Sequence, residues 1–151
     1  MEGNKIVVDY GLKDRVAIIT GINNPQGIGA TTAYSFACEG AKLVLVYKKV
    51  FRKFNKSNVN KNGVDRYYAA NAGDANILED KLKKMNADFV VLERDISNEN
   101  FVKEIYEIAL TKYKKVDIYS GHGLYMADGT KTYGWSNNKN ELSIQLKFLN
   151  E

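Results

Sequence analysis

Between Leu12 and Ile118, short unbroken apolar runs alternate with longer stretches whose apolar positions recur every three or four residues. Val16-Ala17-Ile18-Ile19-Thr20 is the first unbroken run, and it ends in a glycine-rich loop. Such a run reads as a strand buried on both faces, the usual state in a parallel sheet. From Gly27 to Glu39 the pattern predicts a helix. Ile28, Thr32, Phe36 and the alanines between them are expected to form a small-residue face, with Cys38 buried among them and Gly40 at the C-terminal stop. Lys42 to Val46 is a second buried strand, so Val16–Val46 forms a βαβ unit of roughly 30 residues. Ala75–Met85 predicts a helix carrying Leu78, Leu82 and Met85 on one side, and Asp88–Leu92 a third strand. Ser97 or Asn98 can cap the next helix, whose face carries Phe101, Ile105, Ile108 and Ala109. Lys112, Lys114 and Lys115 near its end suit the negative pole of the helix dipole, and a fourth strand starts at Val116.

Two segments do not fit this rhythm. Phe51–Asp74 is polar, rich in Asn, Lys and Gly, and longer than a usual connection, which reads as a functional loop or a partly disordered one. After Tyr119 the periodicity fades, and only Glu141–Leu149 has the makings of a short helix or strand. The expected organisation is an N-terminal extension (1–11), an α/β domain (12–118) and a divergent tail (119–151). The order β-α-β-α-β-α-β with right-handed crossovers gives a doubly wound parallel sheet of strand order 3-2-1-4, the Rossmann type. The first two helices cover one face and the third crosses to the other. The fourth strand is then an open edge, through which copies of the chain could associate.

Composition narrows the class of protein. The chain has 151 residues, 44% hydrophobic and 26% charged, which suits one soluble domain. No apolar run nears the ~18 residues that span a bilayer, and the polar N-terminus lacks a signal-peptide pattern, so the expected location is cytoplasmic. A single cysteine excludes an intramolecular disulfide and a cysteine-based metal cluster, and no metal site is expected. The net charge of +4 comes from lysines mixed with Asp and Glu, apart from a modest cluster at Lys48–Lys61. That dispersion argues against a nucleic-acid partner.

The loop Thr20-Gly21-Ile22-Asn23-Asn24-Pro25-Gln26-Gly27-Ile28-Gly29 lies between a strand and a helix. In that setting Gly21 permits a sharp turn, while Gly27 and Gly29 permit close approach to a pyrophosphate and packing of helix on sheet. Free amides and the positive pole of the helix would hold the anion. Asn23 and Ile28 belong to the same loop and count among the cofactor-binding candidates. The second strand ends Val46-Tyr47-Lys48-Lys49, with Arg52 and Lys53 following. A carboxylate there would bond the 2′-hydroxyl of NAD, whereas a lysine suits the 2′-phosphate of NADP. NADP(H) is therefore expected over NAD(H), with Lys48 the leading residue beside Tyr47 and Lys49. Asp95 and Ile96, after the third strand, can meet the adenine amine and ring face; a plain loop cap is the other reading of Asp95.

These residues resemble the short-chain dehydrogenase/reductase family. Leu12 to Gly21 looks like its opening strand, Gly27-Ile28-Gly29 and Glu39 to Val44 like its first helix and second strand, Asp95-Ile96-Ser97 like its Asp-Val motif, and Val116-Asp117-Ile118 like its fourth strand. The resemblance covers roughly 12–118. It implies NAD(P)(H)-dependent chemistry on an alcohol/carbonyl pair of a small molecule, with acyl-chain substrates in the range. The family loop has three residues between its first two glycines; here there are five, as in enoyl-acyl-carrier-protein reductases, which Gly40-Ala41-Lys42-Leu43 and Tyr47 also resemble. Gly27-Ile28-Gly29 itself looks like the 3-oxoacyl reductase branch.

Past the fourth strand the resemblance ends. The family has Asn-Asn-Ala-Gly there, and this chain has Gly121-His122-Gly123-Leu124; its Asn71-Ala72-Gly73 stands before the third strand instead. No tyrosine is followed four residues later by lysine, the family's catalytic pair; Tyr125 and Lys131 are six apart. Catalytic residues are therefore unassigned. Three readings stay open: an oxidoreductase present as its cofactor-binding half, its tail altered by truncation or a reading-frame change; a non-catalytic NADP(H)-binding module; or an enzyme with a rebuilt site using His122 or a partner subunit.

Overall fold

The computed structural model describes residues 8–121. His122, the Tyr125–Lys131 pair and the Glu141–Leu149 segment lie outside them. Four strands, β1 (Val16–Thr20), β2 (Lys42–Tyr47), β3 (Phe89–Glu93) and β4 (Ile118–Ser120), form one sheet of order β3-β2-β1-β4. Every neighbouring pair is parallel. This is a Rossmann-like α/β fold with the expected strand order. Helices α1 (Ile28–Cys38) and α3 (Asn76–Lys84) pack on one face against Ala17, Ile19, Leu43 and Leu45. Helix α4 (Glu99–Tyr113) packs on the other against Ile18, Val44 and Val46. Successive strand residues point to opposite faces, so covering both faces buries every residue of β1 and makes its sequence unbroken in apolar character. Asn98 caps α4 by accepting from the Asn100 N–H. Gly40, at φ 80°, follows α1 in the left-handed region, which costs glycine little.

Several local expectations are corrected. Residues 51–74 are not a structureless loop: they hold a 3₁₀ turn at Lys56–Asn58 and helix α2 (Val64–Ala72). Asp65 secures them, its carboxylate accepting from Asn55 N (3.0 Å) and Asn58 Nδ2 (3.0 Å). The buried face of α1 consists of Gly29, Ala30, Ala33 and Ala37. Ile28 is exposed, Thr32 intermediate and Phe36 partly buried. The helix lies so close to the sheet that only its smallest residues fit beneath it. Cys38, one position past Ala37, is exposed rather than buried. In α4 the buried set is Val102, Ile105, Tyr106 and Ala109; Phe101 lies outside it, under the Arg94 guanidinium (5.5 Å to the ring centre).

β4 begins at Ile118, not Val116, because Asp117 is occupied in joining it to β1. The Asp117 carboxylate accepts from Val16 N (2.8 Å) and pairs with Lys115 (2.9 Å) and Arg15 (3.3 Å), while Asp117 N donates to Val16 O (2.9 Å). The Val16 amide and then Lys115 hold its carboxyl below the usual carboxylate range. A depressed folded-state value means the contribution is present at neutral pH and is lost as pH falls through that value. Asp117→Ala is expected to lower stability by about 2 kcal/mol at neutral pH, by loss of a charge-assisted bond to a backbone amide. Urea denaturation should show the difference from the native chain shrinking in acid.

Candidate functional site

The carboxyl ends of the parallel strands share one edge, and the sequence candidates collect there. β1 runs out at Thr20 and the chain turns at Gly21, whose φ of 69° lies in the left-handed region. Gly21 N donates to Val46 O (2.9 Å), so the loop starts fastened to the end of β2. Ile22 is completely buried. Asn24 then closes a small turn: its side-chain oxygen accepts from Gln26 N (3.1 Å) and its carbonyl from Gly27 N (2.9 Å).

Gly27 is the N-cap of α1, with no side-chain cap and no acidic residue in the first turn. The first-turn amides have no carbonyl ahead of them in the helix, and no carboxylate competes for the positive pole. Gly29 supplies the close approach: a Cβ there would lie 2.5 Å from Gly21 O and 2.6 Å from Thr20 O. A Cβ at Gly27 would lie 3.1 Å from Asn24 O. Exposed Ile28 stands between them, its side chain outside the sheet-facing side of α1.

At the neighbouring strand ends the side chains are already partnered. Tyr47, paired in register with Glu93, is buried, and its hydroxyl donates to the Glu93 carboxylate (3.4 Å). Burial, then the Glu93 charge, raises its pKa. Lys49 also pairs with Glu93 (3.2 Å). Lys48 forms an ion pair with Asp95. Asp95 further accepts from Ser97 N (3.0 Å) and Ser97 Oγ (2.7 Å), the loop-capping geometry. Burial opposes its ionisation, but the bonds from Lys48 and Ser97 outweigh it and hold the carboxyl below its ordinary range. The residues assigned to opposite ends of an adenosine, Lys48 and Asp95, therefore meet each other. Ile96 packs against the α4 cluster and lines a small cavity with Thr20, Tyr106 and Tyr119.

Asn23 is placed differently from its neighbours. It is 5% exposed, and its side-chain amide donates to Asn71 O (2.9 Å) and Gly73 O (3.1 Å). Both N–H bonds of the amide are thereby used. The acceptors belong to the Asn71-Ala72-Gly73 stretch noticed in the sequence, which thus reaches the site from α2. Glu93 and these two carbonyls were missed by sequence reasoning; the only signal was the unplaced Asn-Ala-Gly itself. Among the described residues, no group of three or more His, Cys, Asp or Glu is arranged to hold a metal, and no helix is long and apolar enough to cross a membrane.

No protein-family model and no curated protein matches the sequence. The fold does match solved structures, among them short-chain dehydrogenase/reductases. A hydroxysteroid dehydrogenase from Escherichia coli is 26% identical, with a TM-score of 0.51 over 73% of this chain and 37% of that one. A short-chain dehydrogenase from Mycobacterium paratuberculosis, bound to NAD, is 22% identical, with a TM-score of 0.51 over 72% of this chain and 36% of that one. A short-chain dehydrogenase/reductase from Serratia marcescens carrying two substitutions is 15% identical, with a TM-score of 0.55 over 80% and 40%. The chain spans about two-fifths or less of the length of these structures.

Proposed function

We propose that this chain binds a nicotinamide dinucleotide and is the cofactor-binding part of an oxidoreductase acting on the carbonyl/alcohol group of a small molecule, in the manner of the short-chain dehydrogenase/reductases. The observation that carries this is the uncapped N-terminus of α1, set behind a three-glycine loop at the end of β1. β1 is flanked by β2 and β4, so the loop opens where the strand order reverses. In doubly wound sheets that position receives ligands. The likeness to a hydroxysteroid dehydrogenase supports the reaction class, and the dinucleotide-binding domain is taken as 12–118.

On this reading Gly27, Ile28 and Gly29 lie along the pyrophosphate, Asp95 and Ile96 at the adenine, and Tyr47, Lys48 and Lys49 at the adenosine ribose. The cofactor would supply or accept hydride. The chain's own part is to hold the dinucleotide, since reduction of a carbonyl also needs a proton donor and the family's Tyr-x-x-x-Lys spacing is absent from the sequence. A second reading is a non-catalytic NADP(H)-binding module. NADP(H) over NAD(H) is retained, because the segment after β2 offers cations and no carboxylate. The margin is small, because Lys48 must leave Asp95 to reach a 2′-phosphate. Acyl-chain substrates, a cytoplasmic location and association through the β4 edge belong to the same proposal.

Isothermal titration and thermal melts with NADPH, NADH and ADP-ribose test it. A ligand at a hundred times its dissociation constant stabilises by about 2.7 kcal/mol, which raises Tm by roughly 10 °C in a domain of this size. Neither heat nor a Tm shift with any of the three would reject the reading. Turnover of a carbonyl substrate panel with NADPH would reject the module alternative.

A further inference from the structure

We infer that Asn23 is a positioning residue that ties the glycine loop to the C-terminal end of α2, so that the segment between β2 and α3 sets the shape of the loop receiving the pyrophosphate. The inference rests on the dinucleotide reading above. The loop carries five residues between Gly21 and Gly27. Its ends are fixed by Gly21 N to Val46 O and by Gly27 N to Asn24 O. Between those ends Ile22 is buried in the core, and Asn23 adds two donations that leave the loop for another element.

The acceptors suit the task. The last four carbonyls of a helix lack intrahelical partners, and Asn71 O is one of these in α2. It accepts from Asn23 Nδ2 and also from Val50 N (2.9 Å), which joins the glycine loop, the exit of β2 and the end of α2 at one oxygen. Asn71 is itself fixed, its side-chain amide donating to Tyr67 O (2.8 Å). The dependence runs both ways. α2 has nine residues, no buried residue and no side-chain N-cap, and a helix that short is marginal without outside contacts. Ordering the loop around a ligand therefore also steadies α2, and loosening α2 loosens the loop.

Asn23→Leu keeps the approximate size and removes both donors without adding a charge that would itself repel a pyrophosphate. The readouts are affinity for ADP-ribose, which has the pyrophosphate, affinity for adenosine, which lacks it, and amide hydrogen exchange in the unliganded chain. Expected are a loss of about tenfold or more in ADP-ribose affinity, adenosine affinity within about twofold of native, and faster exchange in 21–27 and 64–73 with α4 unchanged. Unaltered ADP-ribose affinity would overturn the inference, and so would equal loss for both ligands with faster exchange throughout α4, the mark of general destabilisation. If the native chain binds no ADP-ribose, the dinucleotide reading and the role in pyrophosphate binding fall together. Exchange then judges the tie alone: acceleration confined to 21–27 and 64–73 upholds it, and unchanged exchange there removes it.

Discussion

Gly29→Ala is expected to destabilise the protein by about 3 kcal/mol and to abolish dinucleotide binding. Overpacking usually costs about 1–3 kcal/mol, and this site belongs at the upper end because the obstacle is backbone. The added Cβ would meet Gly21 O at 2.5 Å, Thr20 O at 2.6 Å and Gly21 C at 2.9 Å. None of these can rotate aside as a long side chain would. Relief requires α1 to lift from the sheet, which opens the contacts of Ala30, Ala33 and Ala37 beneath it. Alanine's better helix propensity offsets about 1 kcal/mol of the strain at most. The same lift moves the first-turn amides away from the loop, so binding fails with the packing. Gly27→Ala provides a graded comparison, because its Cβ would meet its nearest backbone neighbour, Asn24 O, at 3.1 Å instead of 2.5 Å. It should weaken binding with a much smaller loss of stability. Urea denaturation and ADP-ribose titration of both variants check this; a Gly29→Ala protein as stable as native would show that α1 does not pack as described.

What could be read from the sequence follows from how each feature is held. β1 and β2 are central strands covered by α1 and α3 on one side and α4 on the other, and burial on both faces writes itself as an unbroken apolar run. The strand order follows from the βα alternation and the handedness of crossovers. The glycine loop was visible because close backbone approach demands a missing side chain. α2 left no such trace: it buries no residue, so it needs no apolar stripe, and it is held by Asp65 and by its own terminal carbonyls. Hydrogen bonds to backbone have no periodic signature. Periodicity puts Ile28 on the inner face because it locates apolar residues but not the nearness of the sheet, which admits only Gly29 and alanines. The Lys48–Asp95 and Lys49–Glu93 pairs depend on the register that sets Tyr47 beside Glu93. That register exists only once β2 and β3 are aligned, so two lysines that look available in the sequence are engaged in the fold.

The engagement of Lys48 leads to a prediction about cofactor choice: Asp95→Asn is expected to raise the ratio of NADP(H) to NAD(H) affinity about tenfold. A 2′-phosphate carries about −1.5 to −2 charges. If it seeks Lys48, it must displace the Asp95 carboxylate and then remain beside it. Removing one negative charge a few ångströms away, at the dielectric of a protein surface, is worth on the order of 1–2 kcal/mol, and 1.4 kcal/mol is a factor of ten. The substitution also alters any contact with adenine, but adenine is common to both cofactors and cancels in the ratio. Mild acid should not imitate the mutation, because the bonds from Lys48 and Ser97 hold the carboxyl below its ordinary range and keep it charged near neutrality. Salt should shrink the gain, since Lys48 is half exposed and exposed charges are screened. Lys48→Ala should move the ratio the opposite way and erase the effect of Asp95→Asn when the two are combined. Titrating both cofactors against the native chain, each single variant and the double variant closes the cycle; a ratio that stays within twofold of native in Asp95→Asn would mean that Lys48 does not face the 2′-phosphate, and the basis for preferring NADP(H) would pass to the remaining cations after β2.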